Sequence, residues 1–134
     1  MHMKLWRQYV SDSALSLWDH PCEALFCYLA SQFPDDLLDL SESKCLEPQE
    51  QTYALESLSK VGTTDRVRTI LMDGVRSQHA VVREGALLGL RTHVREDDLP
   101  IFEKVIIEDP SPAVRDTAVD VLLSFQDSIQ NRDV

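Results

Sequence analysis

The 134-residue sequence is short of glycine, cysteine and positive charge. Its four glycines, at positions 62, 74, 85 and 89, are too few for a loop-rich all-β chain and too scattered for a phosphate-cradling loop. Its three cysteines, Cys22, Cys27 and Cys45, are odd in number and lie among apolar residues. That pattern suits free thiols in a reducing compartment and predicts a cytoplasmic protein. Cys22 and Cys27 stand five apart, no second pair completes a zinc-type set, and no metal site is expected. The histidines, His2, His20, His79 and His93, do not cluster, and no Ser–His–Asp or Cys–His set can be assembled. No catalytic residue and no cofactor is therefore expected. No apolar run approaches the ~20 residues needed to span a bilayer. Nor does a basic region followed by an apolar stretch and a small-residue cleavage site open the chain, so neither a membrane span nor a secretory leader is expected.

Thirteen basic residues against 23 acidic ones leave a formal net charge of −10. Residues 1–50 hold only Lys4, Arg7 and Lys44 against nine carboxylates. Nucleic-acid affinity comes largely from cations that displace counterions, so this balance opposes a DNA or RNA binder and permits a basic protein partner. Excess acid also serves solubility alone.

What the sequence does contain is one helix written more than once. "HAVVREGALLGLRTH" (79–93) is echoed 32 residues later by "SPAVRDTAVDVLLSF" (111–125), matching Val82 with Val114, Arg83 with Arg115, Ala86 with Ala118 and Leu90 with Leu122. A weaker copy, "EPQEQTYALESLSKV" (47–61), keeps Ala54 and Leu58 in register. A small residue followed four positions later by Leu places both on one helical face, where a neighbouring helix can approach closely. Between the copies, Thr64–Ser77 and Asp97–Asp109 carry amphipathic stripes, Val67/Ile70/Leu71/Gly74/Val75 and Leu99/Phe102/Ile106/Ile107. Asp98 is a candidate cap with Pro100 in the first turn, and Ser111-Pro112 reads as N-cap and first helical residue. The unit is helix, turn, helix at a period near 32, a pattern in which stacked copies bury what one helix pair alone would expose.

"LPIFEKVIIEDPSPAVRDTAVDVLLSF" (99–125) resembles a HEAT-like repeat: a helix ending in apolar residues, an Asp-Pro turn, then Val-Arg-x-x-Ala-x-x-x-Leu at Val114–Leu122. The preceding unit, residues 64–94, matches at Val82, Arg83, Ala86 and Leu90 but has Ser77 where the later one has Asp109. The openings expected of ankyrin and tetratricopeptide repeats are absent. The resemblance spans residues 47–126 and suits the short bacterial form of the repeat. It implies an all-α, right-handed solenoid in one domain, with residues 1–46 as a helical N-terminal cap and 127–134 as a polar tail. Trp6, Tyr9, Trp18, Phe26, Tyr28 and Phe33 gather in that cap, for which an aromatic binding surface is the rival reading. Residues 34–48, "PDDLLDLSESKCLEP", read as a short acidic helix or a linker.

In such repeats the recurring Arg pairs with a turn Asp of its own or a neighbouring unit, which makes Arg83, Asp109 and Arg115 a candidate structural ladder, Asp109 being the acceptor for Arg115. The second helices would line a concave surface. On them Glu84, Leu88, Arg91 and Arg95, then Asp116, Asp120 and Leu123, form a mixed strip for a protein or peptide partner. The expected function is a non-catalytic adaptor, scaffold or immunity-like inhibitor. The contrasting reading is a HEAT-like enzyme. Di-iron hydroxylases of this architecture need His-Glu pairs that are absent here, and alkylpurine glycosylases need a basic groove that the charge opposes. A bilin-lyase-like activity has no motif of its own. Val119 and Leu123 on the last helix, Ser111–Gln126, add a homodimer contact as a further option.

Overall fold

Prolines mark where the helices begin. A computed structural model of the chain describes residues 21–132, and among them the protein is all-α, with seven α-helices and no strand. These are α1 (Pro21–Gln32), α2 (Pro34–Glu42), α3 (Pro48–Ser57), α4 (Asp65–Val75), α5 (Ala80–Leu90), α6 (Leu99–Glu108) and α7 (Pro112–Arg132). Proline opens α1, α2, α3 and α7 and stands second in α6, positions where its missing N–H costs no intrahelical bond. At α3 the Glu47 N–H donates to Glu50 Oε1 at 3.0 Å, one arm of a capping box. At α4 the Thr64 hydroxyl accepts the Val67 N–H at 3.2 Å.

Helices α3, α5 and α7 begin at Pro48, Ala80 and Pro112, in register with the repeat read from the sequence. Helices α1, α3, α5 and α7 lie side by side in that order, each packed on the next. Against this row lie α2, touching α1 and α3; α4, touching α3 and α5; and α6, touching α7. One continuous core results, from Phe26, Leu29 and Leu37 through Leu55, Leu58, Leu71, Val82 and Leu90 to Phe102, Val114 and Ala118. The tightest joint is between α3 and α5. A Cβ placed on Gly85 would stand 2.5 Å from the Thr52 carbonyl oxygen, and one on Gly89 2.2 Å from that of Leu55. Glycine at both positions is what lets the two backbones meet.

Residues 34–42 are helical and bury Leu37 and Leu38, so of the two readings of the acidic stretch the short helix holds. Three other expectations change in detail. Helix α5 stops at Leu90 instead of reaching His93, because Thr92 and His93 turn to hydrogen-bond the carbonyls of Ser59 and Leu58 just after α3. Asp98 gives no side-chain cap to α6; its carboxylate is occupied by Arg68 and by the Arg95 N–H. Helix α7 runs on to Arg132, so most of the expected polar tail is helical. Of the aromatic group at the N-terminus, Phe26 is core, while Tyr28 and Phe33 are exposed with their rings 6.1 Å apart. Trp6, Tyr9 and Trp18 lie outside the described residues.

Candidate protein-binding face

The charged side chains divide into those that join one helix pair to the next and those left at the surface. Arg83 of α5 reaches forward to the turn between α6 and α7. Its Nε and Nη2 donate to the two carboxylate oxygens of Asp109 at 2.9 and 3.1 Å, and its Nη1 donates to the Ser77 carbonyl at 3.0 Å. Arg115 makes the same own-turn contact, Nη1 to the Asp109 carbonyl at 2.6 Å, but forms no ion pair among the described residues. The expected pairing of Arg115 with the Asp109 carboxylate is thus corrected: the carboxylate belongs to Arg83. Burial pushes the Asp109 carboxyl up. The Arg83 hydrogen bonds, the Ser111 N–H and the charges of Arg83 and Arg115 outweigh that and hold it below the usual carboxylate range.

A second joint has no counterpart among the sequence expectations. Arg68 of α4 donates through Nη2 and Nη1 to the Asp98 carboxylate at 2.7 and 3.0 Å, and through Nη1 to the His93 carbonyl at 2.6 Å. Burial again opposes ionisation of Asp98, and Arg68 with the Arg95 N–H prevails, so its carboxyl too is held low. His93 is buried: Nε2 lies 2.8 Å from the Leu58 carbonyl and Nδ1 within hydrogen-bond distance of the Thr63 hydroxyl. A carbonyl only accepts, so Nε2 donates to Leu58, while Nδ1 and the Thr63 hydroxyl share the second hydrogen bond. With both nitrogens engaged inside the fold, this ring is a fastener between units.

The surface of the α1–α3–α5–α7 row carries the remainder. Glu56 of α3 is half-buried, and its carboxyl is pushed above the usual range, first by burial and then by the nearby charge of Glu23 on α1, with Glu84 on α5 adding to it. Arg91 and Lys60 pull the other way without reversing it. Lys60 itself donates to Cys27 Sγ at 3.0 Å, and the Thr117 hydroxyl of α7 lies 3.4 Å from Glu84 Oε1. One strip therefore crosses three helices, with carboxylates at Glu23, Glu56 and Glu84 and the cations Arg91 and Lys60 among them.

Of the residues proposed from the sequence, Glu84 and Leu88 are partly exposed on α5, and Arg91 is exposed immediately after it. Arg95 lies in the loop beyond, outside the helix on which it was placed. Asp116, Asp120 and Leu123 are exposed on α7. Glu23 and Glu56 carry no such signal in the sequence, because α1 falls in the stretch that reads as a cap and α3 is the weakest copy of the repeat. Position 56 is also Leu88 in the next copy, so carboxylates at unlike register positions come together only when the row is stacked. No three or more His, Cys, Asp or Glu side chains among the described residues are grouped to hold a metal ion. No described helix is long and apolar enough to cross a membrane. Comparison with family models, with curated proteins and with solved structures finds no match to the chain.

Proposed function

We propose that the chain is a short right-handed α-solenoid of HEAT-like helix pairs, and that it acts without catalysis as a binding module for a basic segment of a partner protein. The observation that carries this reading is Glu56, a half-buried carboxylate whose ionisation is opposed first by burial and then by Glu23 and Glu84 on the neighbouring helices, an effect that Arg91 and Lys60 offset only in part. A cationic side chain set among these three would relieve that repulsion, so the strip gains more from binding a positive charge than isolated surface carboxylates would. The helix order supports the solenoid, since alternate helices form a row and the intervening ones lie against it. An acidic strip equally opposes a nucleic-acid-processing role. The same fit serves an inhibitor that covers a basic surface of an enzyme and an adaptor that holds a basic tail.

The test is titration of the intact protein with fluorescent Lys/Arg-rich and Asp/Glu-rich peptides at low and physiological salt. The basic peptide should bind, more weakly as salt rises, and a Glu23→Gln/Glu56→Gln/Glu84→Gln variant should lose that binding while keeping its helical circular dichroism. Equal affinity for both peptides, or an unchanged affinity in the triple variant, would overturn the proposal. A Glu84→Ala/Leu88→Ala/Arg91→Ala variant separates the α5 part of the strip from the rest.

A further inference from the structure

On α7 four residues spaced by one helical turn form a ridge that runs from the partly buried Arg115, at the flank of the packed side, to the exposed Val119, Leu123 and Asp127. Val119 is 36% exposed and Leu123 53%, both among the few large apolar side chains left at the surface. The ridge is positive at one end, apolar in the middle and negative at the other. Such a sequence is complementary to itself when reversed. Two copies laid antiparallel about a twofold axis midway between Val119 and Leu123 bring each Arg115 opposite Asp127 of the second copy, and each Val119 opposite Leu123. The flanks also fit, since Asp116 then faces Gln126 and Pro112 faces Gln130 across the axis. No carboxylate meets a carboxylate, although the chain carries a net charge of −10. A parallel pairing would instead set Arg115 against Arg115 and Asp127 against Asp127, so the pattern specifies direction.

The fold supplies an independent reason for a carboxylate at Arg115. Its repeat equivalent, Arg83, uses one N–H for its own turn and closes the rest of its guanidinium on the carboxylate of the next unit. Among the described residues Arg115 makes the own-turn bond alone. We infer that α7 is an isologous dimerisation face, in which the open side of Arg115 takes Asp127 of a second copy and Val119 and Leu123 interlock across the axis. At the crossing of about 50° at which the i, i+4 ridges of two helices run along one another, Arg115 and Asp127 lie about 9 Å along the helix from the axis and remain within an arginine's reach. A contact of this size makes a weak, concentration-dependent dimer, distinct from the acidic strip and available while that strip is occupied.

Sedimentation equilibrium on the full chain, from about 10 μM to about 1 mM, tests the inference in the range expected of a small interface. A reversible monomer–dimer equilibrium is expected. Leu123→Glu should weaken it by about tenfold or more, by placing charge in the apolar centre. Val119→Lys/Leu123→Glu should recover it, because the two new charges face each other across the axis. Both positions are exposed, and helical circular dichroism checks that the variants fold. Monomer at every concentration would overturn the proposal. So would open-ended growth beyond the dimer, which marks a head-to-tail contact, or a double variant as dissociated as the single one.

Discussion

Replacing glycine by alanine inside a helix ordinarily stabilises it by about 1 kcal/mol, yet Gly85→Ala should do the opposite. The new methyl carbon would sit 2.2 Å from the Thr52 hydroxyl oxygen and 2.5 Å from its carbonyl oxygen, where ordinary contact begins at 3.4 Å. The hydroxyl can rotate away; the carbonyl and the Cα, at 2.8 Å, are backbone and can move only with α3. Relief therefore requires α3 and α5 to part by about 1 Å, a gap that forfeits a quarter to a half of each van der Waals contact along the joint. Overpacking of this kind costs about 1–3 kcal/mol, and a clash with backbone belongs at the upper end. Setting the helix-propensity gain against about 3 kcal/mol leaves Gly85→Ala about 2 kcal/mol less stable. Gly89→Ala should behave alike, since its methyl would meet the Leu55 carbonyl. One separation relieves both clashes, so the double variant should lose clearly less than the sum of the two. Gly62 is the internal control: a methyl there meets nothing within 4 Å, and Gly62→Ala should be neutral or slightly stabilising. Urea unfolding followed by far-ultraviolet circular dichroism measures all four variants. A Gly85→Ala protein as stable as Gly62→Ala would refute the close approach of α3 and α5.

Asp109→Asn, which leaves Arg83 with only the Ser77 carbonyl and a weaker amide partner, should cost about 2–3 kcal/mol at neutral pH, read as a lowered urea midpoint. The carboxyls of Asp98 and Asp109 are held below their unfolded values, so their stabilisation is present above about pH 4 and is lost as pH falls through the folded values. The Asp98→Asn/Asp109→Asn protein should accordingly show a flatter acid limb in thermal melts taken as a function of pH. Glu56 has the opposite sign: its raised folded value means ionisation opposes folding at neutral pH, and the cost vanishes as pH falls below the unfolded value. Glu56→Gln should therefore raise the neutral-pH melting temperature and narrow its difference from the melting temperature at pH 4. His93→Phe, the residue of the next repeat copy, strands the Leu58 carbonyl and the Thr63 hydroxyl and should cost about 1–3 kcal/mol by the same denaturant assay.

The helices were legible because their signals are local. Proline at Pro34, Pro48 and Pro112, the apolar stripe of residues 64–77 and the Ala–Leu register of the copies each depend on neighbours within a turn or two. Gly85 and Gly89 are a local signal of the same kind, four apart on one helical face. The C-terminal limit of α5 was not legible, because it is set by Thr92 and His93 bonding to Ser59 and Leu58, more than 30 residues away. Asp98 misled in a similar way. Its position before Pro100 is that of a cap, but a partly buried guanidinium from α4 claims the carboxylate. The acidic strip was read only in its α5 part, since Glu23, Glu56 and Glu84 share no register and meet through stacking alone.

The Arg–Asp ladder shows how a correct pattern can be joined to the wrong partner. Within one copy, Asp109 precedes Arg115 by six residues and Ser77 precedes Arg83 by six, so Ser77 looks like a defect in the earlier copy. The actual pair runs forward, from Arg83 to Asp109, across 26 residues. Moved back by one repeat of 32, that pair falls on Gln51 and Ser77. Where no arginine stands at position 51, no aspartate is needed at 77, so the two differences form one consistent change. Gln51 and Ser77 line the same surface cavity, of about 310 Å³, together with Leu55, Ile70 and Gly74, which places the two positions within reach of an installed pair. Gln51→Arg/Ser77→Asp should therefore rebuild the joint between α3 and the α4–α5 turn. At a partly buried site the coupling should be about 1 kcal/mol, with Gln51→Arg alone gaining little and Ser77→Asp alone losing stability by adding an unpaired carboxylate. A double-mutant cycle in urea isolates that term. Strict additivity of the two substitutions would mean that the forward pairing at Arg83 is peculiar to its own joint and not a rule of the repeat.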